Sequence, residues 1–402
     1  MFVRLRTALL AGTLIFVGAP AAAEPISLGE ALSQGRAASP RITRAEAEVR
    51  AAEGRALQAG LSLNPSIGLN VDNFSGTGPH RGFRQSETTL AVSQEFELGG
   101  KRRARKAVAA AELDFARLAL SREVAALEYD IRVAHAELAA SEARGALARE
   151  TLGRARELSR VAKELVDAGR DPPLRRLRAD ALLAEAEAEL ARAAGAFISA
   201  RRKLALLAGS GDSELTAAPG KDEPIPALPA ETPSLDERLA TAEREAAQAR
   251  VSLAKAEAVP NVTASGGVRR FRESGATAVV ASVSIPLPFR NRNQGNVSAA
   301  RAETEAAEAF VAQMRLEATF YRRDAELMVT AANERVNALS GPGLAQAEEA
   351  ARLADIGYRA GKFSLIELID AQEALNSARR NLIEAQLDRA RALAALARAN
   401  AQ

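Results

Sequence analysis

The chain has no cysteine and no tryptophan, two histidines, three methionines and 4% aromatic residues over 402 positions. Without cysteine there is no disulfide, no thiolate metal site and no lipid-bearing cysteine behind a leader. A chain of this length buries enough surface to fold without disulfide staples, so an oxidising compartment stays open to it. His80 and His135 are far apart, and after Met1 methionine occurs only at Met314 and Met328. The donor clusters that grip soft or borderline metals are therefore missing. There is neither a phosphate-cradling glycine loop nor a nucleophile elbow. The chain is expected to be no enzyme and to carry no cofactor. After the first residues no stretch reaches about 20 consecutive apolar residues, which excludes a transmembrane helix. Proline is absent between Pro79 and Pro172, between Pro288 and Pro342, and after Pro342, so very long helices are permitted. The formal charge of +3 gives no nucleic-acid signature.

What is present begins with Arg4 and Arg6, an apolar run over 8–17 and then Pro20-Ala21-Ala22-Ala23. That is a charged start, a short hydrophobic stretch and a small-residue cleavage site, so 1–23 reads as a signal peptide, leaving Glu24 first. Alanine dominates the remainder, mixed with Glu, Arg and Leu, a composition of long helices and coiled-coil packing.

The sequence states its plan twice. Val92 to Glu112 (VSQEFELGGKRRARKAVAAAE) and Val283 to Glu303 (VSIPLPFRNRNQGNVSAARAE) lie in register, about 190 residues apart. Ala168-Gly169-Arg170 is answered by Ala360-Gly361-Lys362, and Asn64-Pro65 by Val259-Pro260. Each half reads helix, strand, strand, helix, helix. The boundaries are 24–208 for the first repeat, 209–233 for a proline-rich linker and 234–402 for the second repeat. Helices are expected over 28–61, 100–168, 172–208, 234–258, 294–359 and 363–400. The fifth is expected to break at Leu339-Ser340-Gly341-Pro342-Gly343, with a counterpart around Gly145–Gly153. Leu120, Val124, Leu127, Ile131, Ala134 and Leu138 form a heptad seam, as do Ile383, Leu387, Ala390, Ala394 and Ala397.

Ile67, Leu69 and Val71 alternate with polar or small residues, as do Leu90, Val92, Gln94 and Phe96. In the second half so do Val262, Ala264, Gly266 and Val268, then Val279, Ala281, Val283 and Ile285. Runs of about nine to eleven residues suit tilted membrane strands. The strands by themselves equally allow two soluble hairpins capping a helical domain. If they span a membrane, four strands cannot close a barrel, and copies must pool them. A dimer would give eight strands with a filled interior, and a trimer twelve with room for water.

Phe96-Glu97-Leu98-Gly99-Gly100-Lys101-Arg102 and Ile285-Pro286-Leu287-Pro288-Phe289 through Asn293-Gln294-Gly295-Asn296, on this duplicated plan, resemble outer-membrane efflux factors of the TolC type. They look most like the cobalt–zinc–cadmium (cation efflux) branch. The resemblance covers essentially the whole chain after the leader. It implies a mostly α chain with a small β part. Three copies would form a twelve-stranded outer-membrane barrel continuing into a long periplasmic α-helical barrel. The homotrimer would dock on a periplasmic adaptor (membrane fusion) protein and an inner-membrane proton-driven (RND-type) pump. The implied function is passive passage of substrate, heavy-metal cations first, across the outer membrane of a Gram-negative bacterium. A duct for drugs, solvents or secreted polypeptides is the alternative within the family. A soluble periplasmic coiled-coil scaffold or adaptor is the alternative outside it.

By the same resemblance the turn before the last helix is the periplasmic gate. Glu367 and Asp370 fall on its acidic positions, three apart on one helical face. Six such carboxylates in a trimer would attract cations. Tyr358 matches a tyrosine of the closing network, while Phe363 stands where an arginine is expected. Arg175 and Arg178 occupy the first-half positions of Glu367 and Asp370 and are expected to pair with acidic turns across repeats or protomers. Lys101, Arg102 and Arg103, where a strand gives way to a helix, suit lipid phosphates at the inner membrane edge rather than nucleic acid.

Overall fold

In the computed structural model, residues 24–211, 215–218, 229 and 232–401 are described. The signal-peptide expectation for 1–23 lies outside them. In chain order the elements are β1 (Glu24–Ile26), α1 (Leu28–Ala38), α2 (Pro40–Ala59), β2 (Ser66–Asp72), β3 (Glu87–Phe96), α3 (Lys101–Asp167) and α4 (Pro173–Ala208). There follow β4 (Leu215–Ala217), α5 (Leu235–Glu257), β5 (Val262–Phe271), β6 (Thr277–Ser284), α6 (Gln294–Ser340), α7 (Pro342–Arg359) and α8 (Leu365–Ala399). Two compact units divide the chain. One takes Gly35–Val133, Asp222–Ala345 and Ala385–Gln402, and the other Met1–Gln34, Ala134–Lys221 and Gln346–Glu384.

The helices follow the proline map, with two differences. The first expected helix is two, because Pro40 opens α2 after an extended Ser39. A proline tolerates the first helical turn but not the interior, where its missing N–H and ring break the ladder. The break at Gly341-Pro342 occurs as expected, but its counterpart does not: α3 runs unbroken for 67 residues through Gly145 and Gly153. Glycine inside a helix costs roughly 1 kcal/mol and keeps its donor, and the surrounding turns absorb that. Four of the six seam residues of α3, Leu127, Ile131, Ala134 and Leu138, are at most 1% exposed, while Leu120 and Val124 are half-buried. The interior is otherwise largely alanine, including Ala240, Ala246, Ala247 and Ala254 of α5 and Ala300, Ala307 and Ala325 of α6.

The first unit holds a four-stranded antiparallel sheet of order β2-β3-β5-β6. The central β3 and β5 have ten residues each, whereas the edges β2 and β6 have seven and eight, shorter than expected. Register sorts the side chains by face. Ile67 lies beside Val92, Leu69 beside Leu90, Leu90 beside Val268, and Val268 beside Val279. These side chains are exposed and make one face continuously apolar. The opposite face carries Asn70, Asp72, Thr89, Glu87, Ser93, Ser265 and Ser282. Gly267 sits where the β3 backbone comes close. A Cβ there would lie 2.3 Å from the Leu90 carbonyl oxygen and 2.8 Å from the Cα of Ala91.

Sequence reading placed no strand in 209–233, yet β4 pairs in parallel with β1, Glu24 beside Leu215 and Ile26 beside Ala217. His135 Nε2 meets the Ile26 carbonyl at 3.1 Å, and the Ala217 amide donates to Glu142 at 2.9 Å. In the other unit the buried Arg322 donates to the Thr232 carbonyl at 2.7 Å, tying down the far end of the same stretch.

Two glycines of the sheet test its packing. Gly267→Ala is expected to cost about 1–3 kcal/mol by forcing β3 and β5 apart, lowering the temperature at which the purified protein unfolds. Gly68→Ala, which meets open space, should leave that temperature unchanged. Equal behaviour of the two would contradict the register.

Candidate functional site

Two turns in the second unit, α3–α4 and α7–α8, are built alike. Gly169 and Gly361 adopt φ of 71° and 69°, the left-handed conformation that only glycine takes without strain. Arg170 N donates to the Leu165 carbonyl at 2.9 Å and Gly169 N to Val166 at 2.9 Å. In the other turn Lys362 N donates to Gly357 at 2.8 Å and Gly361 N to Tyr358 at 3.0 Å. Both are Schellman closures, which satisfy the last carbonyls of a helix. Gly357 is required for a second reason. A Cβ there would lie 2.2 Å from Cδ2 of Phe363, whose ring lies over the helix end. Thus Phe363, at the position where an arginine was expected, packs rather than pairs.

The next helices start differently. Extended Pro172 and the first-turn Pro173 open α4. Ser364 opens α8 with a capping box: its hydroxyl accepts from Glu367 N at 3.3 Å, and Glu367 Oε2 accepts from Ser364 N at 2.6 Å. Those bonds, the Ser364 amide first and its hydroxyl second, hold the Glu367 carboxyl below the usual carboxylate range. Beneath lies a small core of Leu158, Ala162, Ala179, Ala354, Leu365 and Leu368, with Tyr358 and Ile369 against it.

Of the residues singled out in the sequence, Glu367 and Asp370 are both exposed at the start of α8. Arg175 makes its ion pair with Asp171, on its own turn, and Arg178 is exposed. Among the described residues no ion pair joins the arginine turn to the acidic turn. Asp171 is one helical turn from Arg175, and that short local reach takes the guanidinium. Asp171 was not foreseen, although its four-residue spacing from Arg175 was readable. Its side chain is only 9% exposed, and its Oδ2 and the Tyr358 hydroxyl are buried without hydrogen-bond partners. Burial pushes the Tyr358 phenol up, the Asp171 charge adds to the rise, and Arg175 opposes it.

The basic run at the strand–helix junction lies in the first unit. Lys101 Nζ donates to Asn261 Oδ1 at 2.5 Å and Arg102 to Ser62 Oγ at 3.0 Å, while Arg103 is exposed. Arg105 is paired with Glu97 and holds that carboxyl low. Two of the three basic residues named from the sequence therefore knit α3 to the neighbouring segments. Among the described residues no group of three or more His, Cys, Asp or Glu could hold a metal ion, and no helix is long and apolar enough to cross a membrane.

An apolar sheet face that ends in long alanine-rich helices, with two matched turns, describes a duplicated membrane-channel subunit. The model of the outer membrane efflux protein family matches residues 31–210 and 230–402, and the chain belongs to that family. It is 35% identical over 336 residues to the nickel and cobalt resistance protein CnrC of Cupriavidus metallidurans, covering 79% of each chain. It is 34% identical over 393 residues to the nickel-cobalt-cadmium resistance protein NccC of Alcaligenes xylosoxydans xylosoxydans, covering 96% of this chain and 89% of that one. Among solved structures, the outer membrane protein VceC of Vibrio cholerae aligns with a TM-score of 0.76 at 24% identity, over 92% of this chain and 95% of that one. The outer-membrane channel OprN aligns with a TM-score of 0.79 at 24% identity, over 92% and 89%. These two likenesses establish the fold. The protein is an outer-membrane efflux component and not an enzyme.

The capping box makes the start of α8 pH-dependent. The Glu367 pKa is lower folded than unfolded, so its contribution is complete above the ordinary carboxylate range and is lost as pH falls through the folded value. The Ser364 and Glu367 amides of the full chain should therefore be protected from hydrogen exchange at neutral pH and lose protection in acid. Ser364→Ala should lose that protection already at neutral pH. Protection that survives the substitution would show that the box does not hold the helix start.

Proposed function

We propose that three copies of this chain assemble into a passive conduit, closing twelve strands into an outer-membrane barrel continuous with a periplasmic helical barrel. The observation that carries this is the sheet: one face apolar and exposed, the other polar, and both edge strands unpaired within the chain. In hydrocarbon an open edge leaves backbone donors and acceptors unsatisfied at several kcal/mol each, so neighbouring copies must complete the ladder. Three copies leave a lumen, whereas two give a barrel whose interior side chains fill it. In this reading 24–208 and 234–402 are the two repeats and 209–233 the linker between them.

The cargo is heavy-metal cations, delivered through a periplasmic adaptor by a proton-driven inner-membrane pump of the RND type. The names of the curated relatives, which speak of nickel, cobalt and cadmium resistance, support the cargo. So does the lack of any metal-gripping cluster among the described residues, since an ion held tightly would not leave. Glu367 and Asp370 form an acidic ring at the periplasmic constriction. Tyr358, Arg175 and Arg178 belong to the surrounding gate network. Arg103, with Lys101 and Arg102, faces lipid phosphates at the inner membrane edge.

Deleting the gene from its host should sensitise growth to nickel or cobalt, and the intact chain should restore resistance. Resistance unchanged for every divalent metal tested, with lost tolerance to drugs or solvents, would reassign the cargo. In planar bilayers, Glu367→Ala/Asp370→Ala should lower cation over anion permeability by roughly severalfold, as removal of a ring of one sign does. Unchanged selectivity would remove these residues from the constriction.

A further inference from the structure

The apolar face of the sheet carries a single ionisable side chain among its described residues. Arg270 stands one row beyond Val268, in register with Thr88 on one side and Thr277 on the other. It lies at the end of the sheet where the hairpins turn back, away from the strand ends that lead into the helices. Its sequence neighbour Arg269 points to the polar face. There it donates to Thr89 Oγ1 at 2.9 Å and to the Glu87 carboxylate at 3.0 Å. Every acid of the sheet (Asp72, Glu87 and Glu95) lies on that polar face. Arg270 is exposed and has no acidic partner among the described residues. Two consecutive arginines thus differ in kind: the protein neutralises one and leaves the other at the rim of an apolar surface.

A guanidinium at the edge of hydrocarbon is costly unless its long stem lets the charge reach an anion in the headgroup layer. The hairpins beside it extend the same sign. Residues 73–86 contain Arg81 and Arg84 and no acid, and 272–276 contain Arg272 and only Glu273. All three arginines are exposed. Phe74 and Phe83, exposed with ring centroids 6.2 Å apart, place aromatic surface at the same level, as interfacial girdles do.

We propose that Arg270, seconded by Arg81, Arg84 and Arg272, binds the phosphate groups of a phosphorylated lipid of the outer leaflet. This would anchor the hairpin end of the sheet in that leaflet. The inference rests on the apolar face being the lipid-facing one. Guanidinium suits the task because its planar fork meets phosphate oxygens two at a time.

The test uses the full chain purified in neutral detergent and titrated with bis-phosphorylated lipid A, with bound lipid counted by native mass spectrometry. A parallel titration uses lipid A stripped of both phosphates. The wild type should prefer the phosphorylated form. Arg270→Gln should bind it about fivefold more weakly, the effect of about 1 kcal/mol per basic residue at an anionic surface, and Arg270→Lys should keep most of the affinity. Equal affinity of wild type and Arg270→Gln, or indifference to the phosphates, would overturn the proposal. Flotation with phosphatidylcholine vesicles separates the two levels. If wild type and variant both float but bind lipid A alike, only the phosphate site fails. If neither floats, the lipid-facing reading falls and takes the site with it.

Discussion

The requirement that no backbone donor or acceptor stay unpaired in hydrocarbon governs this molecule. β2 and β6 present bare edges within the chain, and the apolar face between them forbids water from satisfying those edges. A single chain therefore holds one arc of a barrel. The seam at the arc's centre, β3 against β5, joins the two halves of the sequence, so the duplicated hairpins become one sheet. Since side chains alternate with a period of two, a slip of one residue would turn the apolar face toward the polar side. Gly267 helps hold the register, because any side chain there would strike the Leu90 carbonyl.

The helices face a different problem. Alanine seams let backbones approach closely but offer little relief to distinguish one vertical register from the next. Charge supplies the distinction. In one unit Arg144 reaches Glu384 at 2.7 Å, and Arg379 bridges Glu150 at 2.8 Å and Glu348 at 3.0 Å. In the other, Arg41 spans Glu123 at 3.2 Å and Asp130 at 2.8 Å, and Arg335 meets Asp388 at 2.7 Å. These pairs are part-exposed, so each adds little to stability. Together they penalise a shifted register, where like charges would meet.

Features with a period or a punctuation mark could be read in the sequence. Proline gaps gave the long helices, alternation gave the four strands, and repeated glycines gave the two turns. Features that depend on a distant partner could not. β1 and β4 are three residues each, too short to show alternation, and pair across most of the first half of the chain. The Ser39–Pro40 break is punctuated by its proline, whereas Gly145 and Gly153 are punctuation that the helix ignores. At the turns, family resemblance points to Glu367 and repeat position to Arg175, but neither discloses a local competitor. Asp171 claims Arg175, and Ser364 claims one oxygen of Glu367.

That last division of labour bears on how an acidic constriction would work. Glu367 holds its helix start through Oε2 while its carboxyl stays ionised, so its charge is fixed in place by the backbone it caps. Asp370 is exposed on the same face, three residues on. In the proposed conduit a ring of the first kind would be preorganised and a ring of the second would be mobile. Cations would meet a steady field and then adaptable ligands, neither sufficient to trap them. The buried, unpartnered Tyr358 hydroxyl and Asp171 Oδ2 lie in the same unit. Moving the Glu367 carboxylate would break its bond to the Ser364 amide, so in the proposed conduit its charge and the start of α8 are coupled.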